Sequence, residues 1–185
     1  MKKILVGLLM LLVMMVVTAC GGGGSSSNIF TDAGAMEKIM GQLQEKPEFK
    51  GKKLMVFQDV TVVNSKDHGG NFIVIDILKP GTEDVDRYEY RNGSWSDGAP
   101  VKITGDGNMA DNVIPMADLH FEKLPEIYKT FSEKVKDKKD VKVKQTAVYR
   151  FWNGEWSVLI DAESEREEYG AEFKPDGTLI SLKKK

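Results

Sequence analysis

The chain has 185 residues, with 26 Lys and Arg against 28 Asp and Glu, a formal charge of −2 and a single cysteine. The mildly acidic balance weighs against nucleic acid as a partner, because phosphate binding needs a basic surface. One cysteine excludes an intrachain disulfide, and two histidines exclude a three-histidine zinc site in a monomer.

The first three residues, Met-Lys-Lys, carry two positive charges and lead into an unbroken apolar run from Ile4 to Val17. As a helix that run would be about 21 Å long, short of the roughly 30 Å hydrocarbon core. A charged start, a short apolar middle and small residues at the end are the parts of a secretory signal peptide, here residues 1–19. Val17-Thr18-Ala19-Cys20 then resembles the lipobox of bacterial lipoproteins. The resemblance implies cleavage before Cys20, diacylglycerol on its sulfur and a further acyl chain such as palmitate on the new amino group. A thiol suits this chemistry because its thiolate is a good nucleophile. Residues 20–32 read as the lipidated cysteine and a flexible tether, since GGGGSSS at 21–27 would span about 15 Å as a slack coil. The resemblance thus places the protein in the cell envelope, extracytoplasmic and held to a membrane through the lipid on Cys20. Gly21 is not the aspartate that retains such proteins at an inner membrane, so a two-membrane source would place it at the outer one.

Beyond the tether the same arrangement reads twice. Met36, Ile39, Met40 and Leu43 fall on one face of a helix that Pro47 stops, and LMVFQDVTVV (54–63), NFIVIDIL (71–78) and YEYRNGSW (88–95) read as strands. Leu124, Ile127, Tyr128 and Phe131 repeat the helical spacing, with Pro125 suited to a first turn. VKQTAVYRFW (143–152), EWSVLI (155–160) and AEFKPDGTL (171–179) then repeat the strands. The offset between equivalent positions stays between 83 and 88 residues, a period suited to a duplicated module rather than a solenoid. The expected fold class is α+β, with two tandem modules that each pack a helix on a three- to four-stranded antiparallel sheet. Residues 33–104 form the first module, 105–115 a linker and 116–185 the second.

Turn chemistry fixes one hairpin in detail. Asn153-Gly154 favours a two-residue type I′ turn, which pairs Phe151 with Trp156, Tyr149 with Val158 and Ala147 with Ile160 on one apolar face. Truncating Phe151 or Trp156 should then cost about 3–5 kcal/mol. The other face pairs Trp152 with Glu155 and Arg150 with Ser157. The same reading at Asn92-Gly93 pairs Tyr90 with Trp95 and Glu89 with Ser96. A helix, an antiparallel meander and a closing GAEFKPDGTLISL (170–182) resemble the PepSY-like and β-lactamase-inhibitor-like modules of bacterial envelope proteins, where tandem copies are common. The inhibitory members carry a disulfide in each repeat; this chain has none.

Signatures of catalysis are sparse. His68 reads as a loop residue and His120 as one near the second helix, with no spacing that gathers a metal. NGSWSDG lacks the spacing of a nucleophile elbow, and no glycine-rich string precedes a phosphate-holding helix. Asp106, Asn108 and Asp111 are calcium-loop residue types without the EF-hand spacing. Asp161, Glu163, Glu165 and Glu167 alternate along one side of a strand, which suits edge protection more than acid–base work. The lysines from Lys134 to Lys144 read as a solvated helix end, with contact to anionic headgroups as the alternative. No catalytic, cofactor or metal site is expected. Trp152 and Arg150 are the candidate partner-binding residues, an exposed Trp beside an Arg being the composition of an interaction hot spot. The expected function is a noncatalytic envelope lipoprotein that binds or scaffolds an envelope protein, a peptide or a glycan. The alternatives are an inhibitor of an extracytoplasmic enzyme, a small-solute binder or a carboxylate-based enzyme.

Overall fold

The computed structural model describes residues 27–185 apart from Asp106 and Asn153, with Trp152 described by its backbone alone. The expected signal segment and Cys20 therefore lie outside the described residues.

One-sided apolar spacing produces α1 (Ala33–Gln44), which buries Met36, Ile39, Met40 and Leu43. Asp32 caps it, its carboxylate accepting from the Gly34 amide at 3.0 Å. The β-branched runs that follow form β1 (Met55–Ser65) and β2 (Gly70–Leu78), then β3 (Val85–Arg91) and the short β4 (Ser94–Trp95) and β5 (Ala99–Pro100). A short strand, β6 (Val113–Pro115), precedes α2 (Leu124–Val135), whose first turn holds Pro125. The chain ends in β7 (Lys142–Trp152), β8 (Glu155–Glu163), β9 (Glu168–Phe173) and β10 (Leu179–Lys184).

All these strands join one antiparallel sheet in the order β10-β9-β8-β7-β1-β2-β3-β4, with β5 on β3 and β6 on β1. The protein is thus α+β, with a large sheet and two helices. The two halves of the chain do not keep separate sheets: β1 pairs β7 from Asp59↔Arg150 to Val63↔Thr146 and fuses them edge to edge. Each unfused half would have left a long hydrophobic edge strand with unpaired backbone groups, and the β1–β7 ladder covers both. The halves also share an irregularity. The β1–β2 ladder shifts register between Val56 and Val60, and the β7–β8 ladder shifts between Val143 and Ala147. In the first half the shift contains Gln58 at φ +51, a conformation rarely adopted by non-glycine residues.

Both helices cover one face of the sheet. Beneath them Ile73, Ile75, Ile77, Val60, Val62 and Tyr149 are fully buried, each aliphatic chain contributing about 2 kcal/mol by its burial. The Trp95 indole donates to the Ile39 carbonyl at 2.8 Å and so fixes α1 over the first half. Two expectations about segment ends change. The stretch 20–32 is not all tether, because Ile29 and Phe30 are fully buried and belong to the core. The stretch 105–115 is not a plain linker, since β6 lies within it and pairs with Met55–Phe57.

Candidate functional site

Among the described residues no helix covers the sheet's second face, and most of its side chains are half-exposed. One row runs across five neighbouring ladders: Glu172, Leu159, Val148, Thr61, Val74 and Glu89. Its four central residues are apolar or nearly so, and carboxylates close both ends. The adjacent row brings Thr146, Val63 and Phe72 into line. Alternation explains this surface. Each strand sends every second residue to the helix-covered side, and the intervening positions supply the open one.

Ion pairs border the apolar centre along one side. Arg87 grips Asp76 with two bonds of 2.8 Å, and that hydrogen bonding holds the guanidinium above its usual range. Arg150, a candidate from the sequence, lies on this face and reaches Asp59 of β1 at 3.4 Å. It therefore ties the two halves together as well as facing solvent. Trp152 holds the register position opposite Glu155; its side chain and Cys20 are outside the described residues. At the far side of Phe72, the His68 ring stacks at 4.5 Å and the Arg91 guanidinium lies 4.8 Å from the ring centre. Both contacts were invisible in the sequence, because a hairpin turn and a neighbouring strand bring them together.

The other candidates separate. His120 sits in the left-handed region at φ +48 between two short helical turns, with Nδ1 at 3.2 Å from Glu122. Asn108 caps a helical turn through the Ala110 amide, while Asp106 falls outside the described residues. The acidic run is answered by lysines: Lys185 meets Asp161 at 2.8 Å and Glu168 at 3.0 Å, and Lys144 meets Glu163 at 2.6 Å. A hydrogen bond from Lys184, with another from the Tyr169 hydroxyl, holds the Glu167 carboxyl below the usual range. Among the described residues no group of three His, Cys, Asp or Glu is gathered as a metal would need.

The described residues form several hollows. A cleft of about 760 Å³ between the α2–β7 loop and the β8–β9 turn is lined by charged residues such as Lys142, Glu163 and Arg166. A smaller one of about 150 Å³, bounded by Met36, Met40, Met116 and Phe121, lies well below the usual 300–1,000 Å³ of small-molecule sites.

The described residues therefore form an antiparallel sheet with one face buried under two helices and the other left open by them. No family model matches the chain, and no curated protein matches it. Its fold is similar to the crystal structure of a "putative lipoprotein (CD1622)" from Clostridium difficile 630, with a TM-score of 0.54 at 9% identity over 84% of this chain and 94% of that one. At that identity the likeness is one of fold alone.

Proposed function

We propose that the protein is a noncatalytic cell-envelope lipoprotein, anchored through a lipid on Cys20, whose open sheet face binds an envelope protein, a peptide or a glycan. The observation that carries this reading is the row from Glu172 to Glu89, half-exposed and apolar at its centre, closed by a carboxylate at each end and bordered on one side by the Arg87–Asp76 and Arg150–Asp59 pairs. An apolar centre inside a polar rim is the anatomy of a protein interface. Arg150 and Trp152 lie along one border of this face and remain its candidate anchors. The fold likeness to a protein named as a lipoprotein supports the envelope assignment, as does the VTAC motif after the apolar run. The two halves are read as copies of one PepSY-like module; the matching register shifts and the shared strand order support that.

Two experiments test the proposal. Metabolic labelling with a fatty-acid analogue should mark the wild type and not Cys20→Ser; label retained in the variant defeats the anchor. A photo-crosslinking residue placed at Leu159, on the open face, should give a discrete adduct in intact cells. The same residue at the exposed Lys129 of α2 should give none. Identical adducts from both positions, or none from Leu159, overturn the assignment of this face.

A further inference from the structure

The point where the chain enters the fold is fixed by a small amide cluster. The Asn71 side chain donates to the Ser27 carbonyl at 2.8 Å, and the Asn28 amide donates to Gln145 at 3.0 Å and to Asn64 at 3.3 Å. Asn64 and Asn71 belong to the β1–β2 hairpin, and Gln145 lies near the start of β7. The amino-terminal segment thus leaves at the end of the sheet where β1 finishes and β7 begins. Gln145 adjoins the lysine-rich stretch that runs from the last turn of α2 into the first residues of β7. That stretch, residues 134–144, holds six lysines and two aspartates.

The same end receives other cations. β10 finishes there with Lys183, Lys184 and Lys185, and Lys66 and Arg91 stand in or beside the hairpin turns of the first half. Some of this charge is answered, since Lys144, Lys184 and Lys185 pair with acids of β8 and the β8–β9 turn. Lys134, Lys136, Lys139 and Lys142 are exposed and have no ion-pair partner among the described residues. At the opposite end the turns and short helices carry Glu83, Asp84, Asp118, Glu122 and Glu155 beside Lys79, Lys123 and Lys174. The unpaired lysines of the α2–β7 stretch therefore gather at the end from which the chain departs, with the acidic run from Glu163 to Glu168 next to them.

We propose that this lysine-bearing end docks on the anionic headgroups of the membrane that holds the anchor, so that the strands stand upright and the open face points along the membrane. The inference rests on the lipid-anchor reading of Cys20. Seven residues separate Cys20 from the pinned Ser27 carbonyl, counting Ser27 itself, and even fully extended they reach only about 24 Å. That limit is about three Debye lengths at physiological salt, each about 8 Å, so the lysines stay near the surface that holds the anchor. The far end cannot approach that surface as closely, because the chain departs from the lysine-bearing end.

The test uses the mature lipidated chain in vesicles of phosphatidylcholine, alone or mixed with phosphatidylglycerol, each containing a headgroup-quencher lipid. With the Cys20 sulfur held in its thioether to diacylglycerol, an introduced cysteine is the one free thiol, so a fluorophore can be placed by Asp137→Cys at the proposed docking end or by Lys174→Cys at the far end. Quenching at position 137 should rise at least about twofold when phosphatidylglycerol is present and fall back at roughly 1 M salt, where screening shortens to about 3 Å. Position 174 should not respond. Adding Lys136→Glu, Lys139→Glu and Lys142→Glu should abolish the rise at 137 while the bound amount of protein stays unchanged. Equal quenching in both vesicles, equal response at both positions, or indifference to the charge reversal overturns the docking. Failure of the anchor itself is separately visible, as an unmodified mass at Cys20 and protein that does not sediment with vesicles, and it removes the docking along with it.

Discussion

Tyr149 is fully buried, with its ring edge-on to Phe121 at 4.8 Å, and its hydroxyl has no hydrogen-bond partner among the described residues. Burial pushes its ionisation far upward, so it stays a neutral, unanswered donor. An unmade hydrogen bond in such a place costs about 1–3 kcal/mol, and removing the hydroxyl removes that cost without opening a cavity of any size. Tyr149→Phe is expected to be neutral or to stabilise by up to about 1 kcal/mol, read as a higher denaturant midpoint at unchanged slope. Tyr88 behaves differently because its environment is charged. Burial, with Glu48, Asp86 and Asp97 close by, pushes its hydroxyl up to about 12. In the unfolded chain it ionises near 10, so between about pH 10 and pH 12 the unfolded state releases a proton that the folded state keeps. Its contribution is full below about pH 10 and is lost as pH rises through about 12. The expected loss is of order 2 kcal/mol, and Tyr88→Phe should flatten that part of the stability curve measured by urea unfolding at stepped pH.

At the scale of elements, the β7–β8 hairpin has the register that its Asn-Gly turn dictates, from Trp152↔Glu155 to Ala147↔Ile160. Phe151 and Trp156 meet as expected, with ring centres 5.7 Å apart, but both sit at the hairpin tip and are only half-buried. Their truncation should therefore cost about 2 kcal/mol rather than the 3–5 kcal/mol of a full core position. Trp152→Ala should leave the melting temperature nearly unchanged while weakening partner capture; a loss of stability equal to that of Trp156→Ala would assign it to packing. The hairpins were legible because turn type, alternation and local pairing all act within a dozen residues. The pairing of Tyr90 with Trp95 and of the Glu89 carbonyl with the Ser96 amide at 2.8 Å follows the same logic. The β1–β7 ladder was not legible. Alternation says which face of a strand is buried and is silent on which edge meets which, so Asp59 and Arg150, 91 residues apart, gave no sign of their pairing. Ile29 and Phe30 escaped notice for a related reason: two apolar residues beside a glycine-serine run have no period, and only the closed fold offers them a cavity.

Across the whole molecule, the fused sheet makes a claim about cooperativity. If the halves were independent, each would carry its own core and unfold at its own midpoint. The β1–β7 ladder joins them, the Asn28 cluster bridges Asn64 to Gln145, and Arg150 reaches across to Asp59. Unfolding one half would expose the inner edge strand of the other, with its backbone groups unpaired. A single transition is therefore expected, and two tryptophans can report on it separately. Trp95 belongs to the first half, bonded to α1, and Trp156 to the second. A variant with Trp152→Phe and Trp156→Phe keeps only Trp95, and one with Trp95→Phe and Trp152→Phe keeps only Trp156. Each probe should follow the same transition as the far-ultraviolet circular dichroism signal of its own variant, as two-state unfolding requires. Val148→Pro then strikes the junction, since proline removes an amide from a central strand at a cost of about 3 kcal/mol or more. In both backgrounds it should move the fluorescence midpoint by the same amount, even though Trp95 lies four strands away across the sheet. A shift confined to the Trp156 reporter would show that the ladder joins the halves in space without coupling their stability.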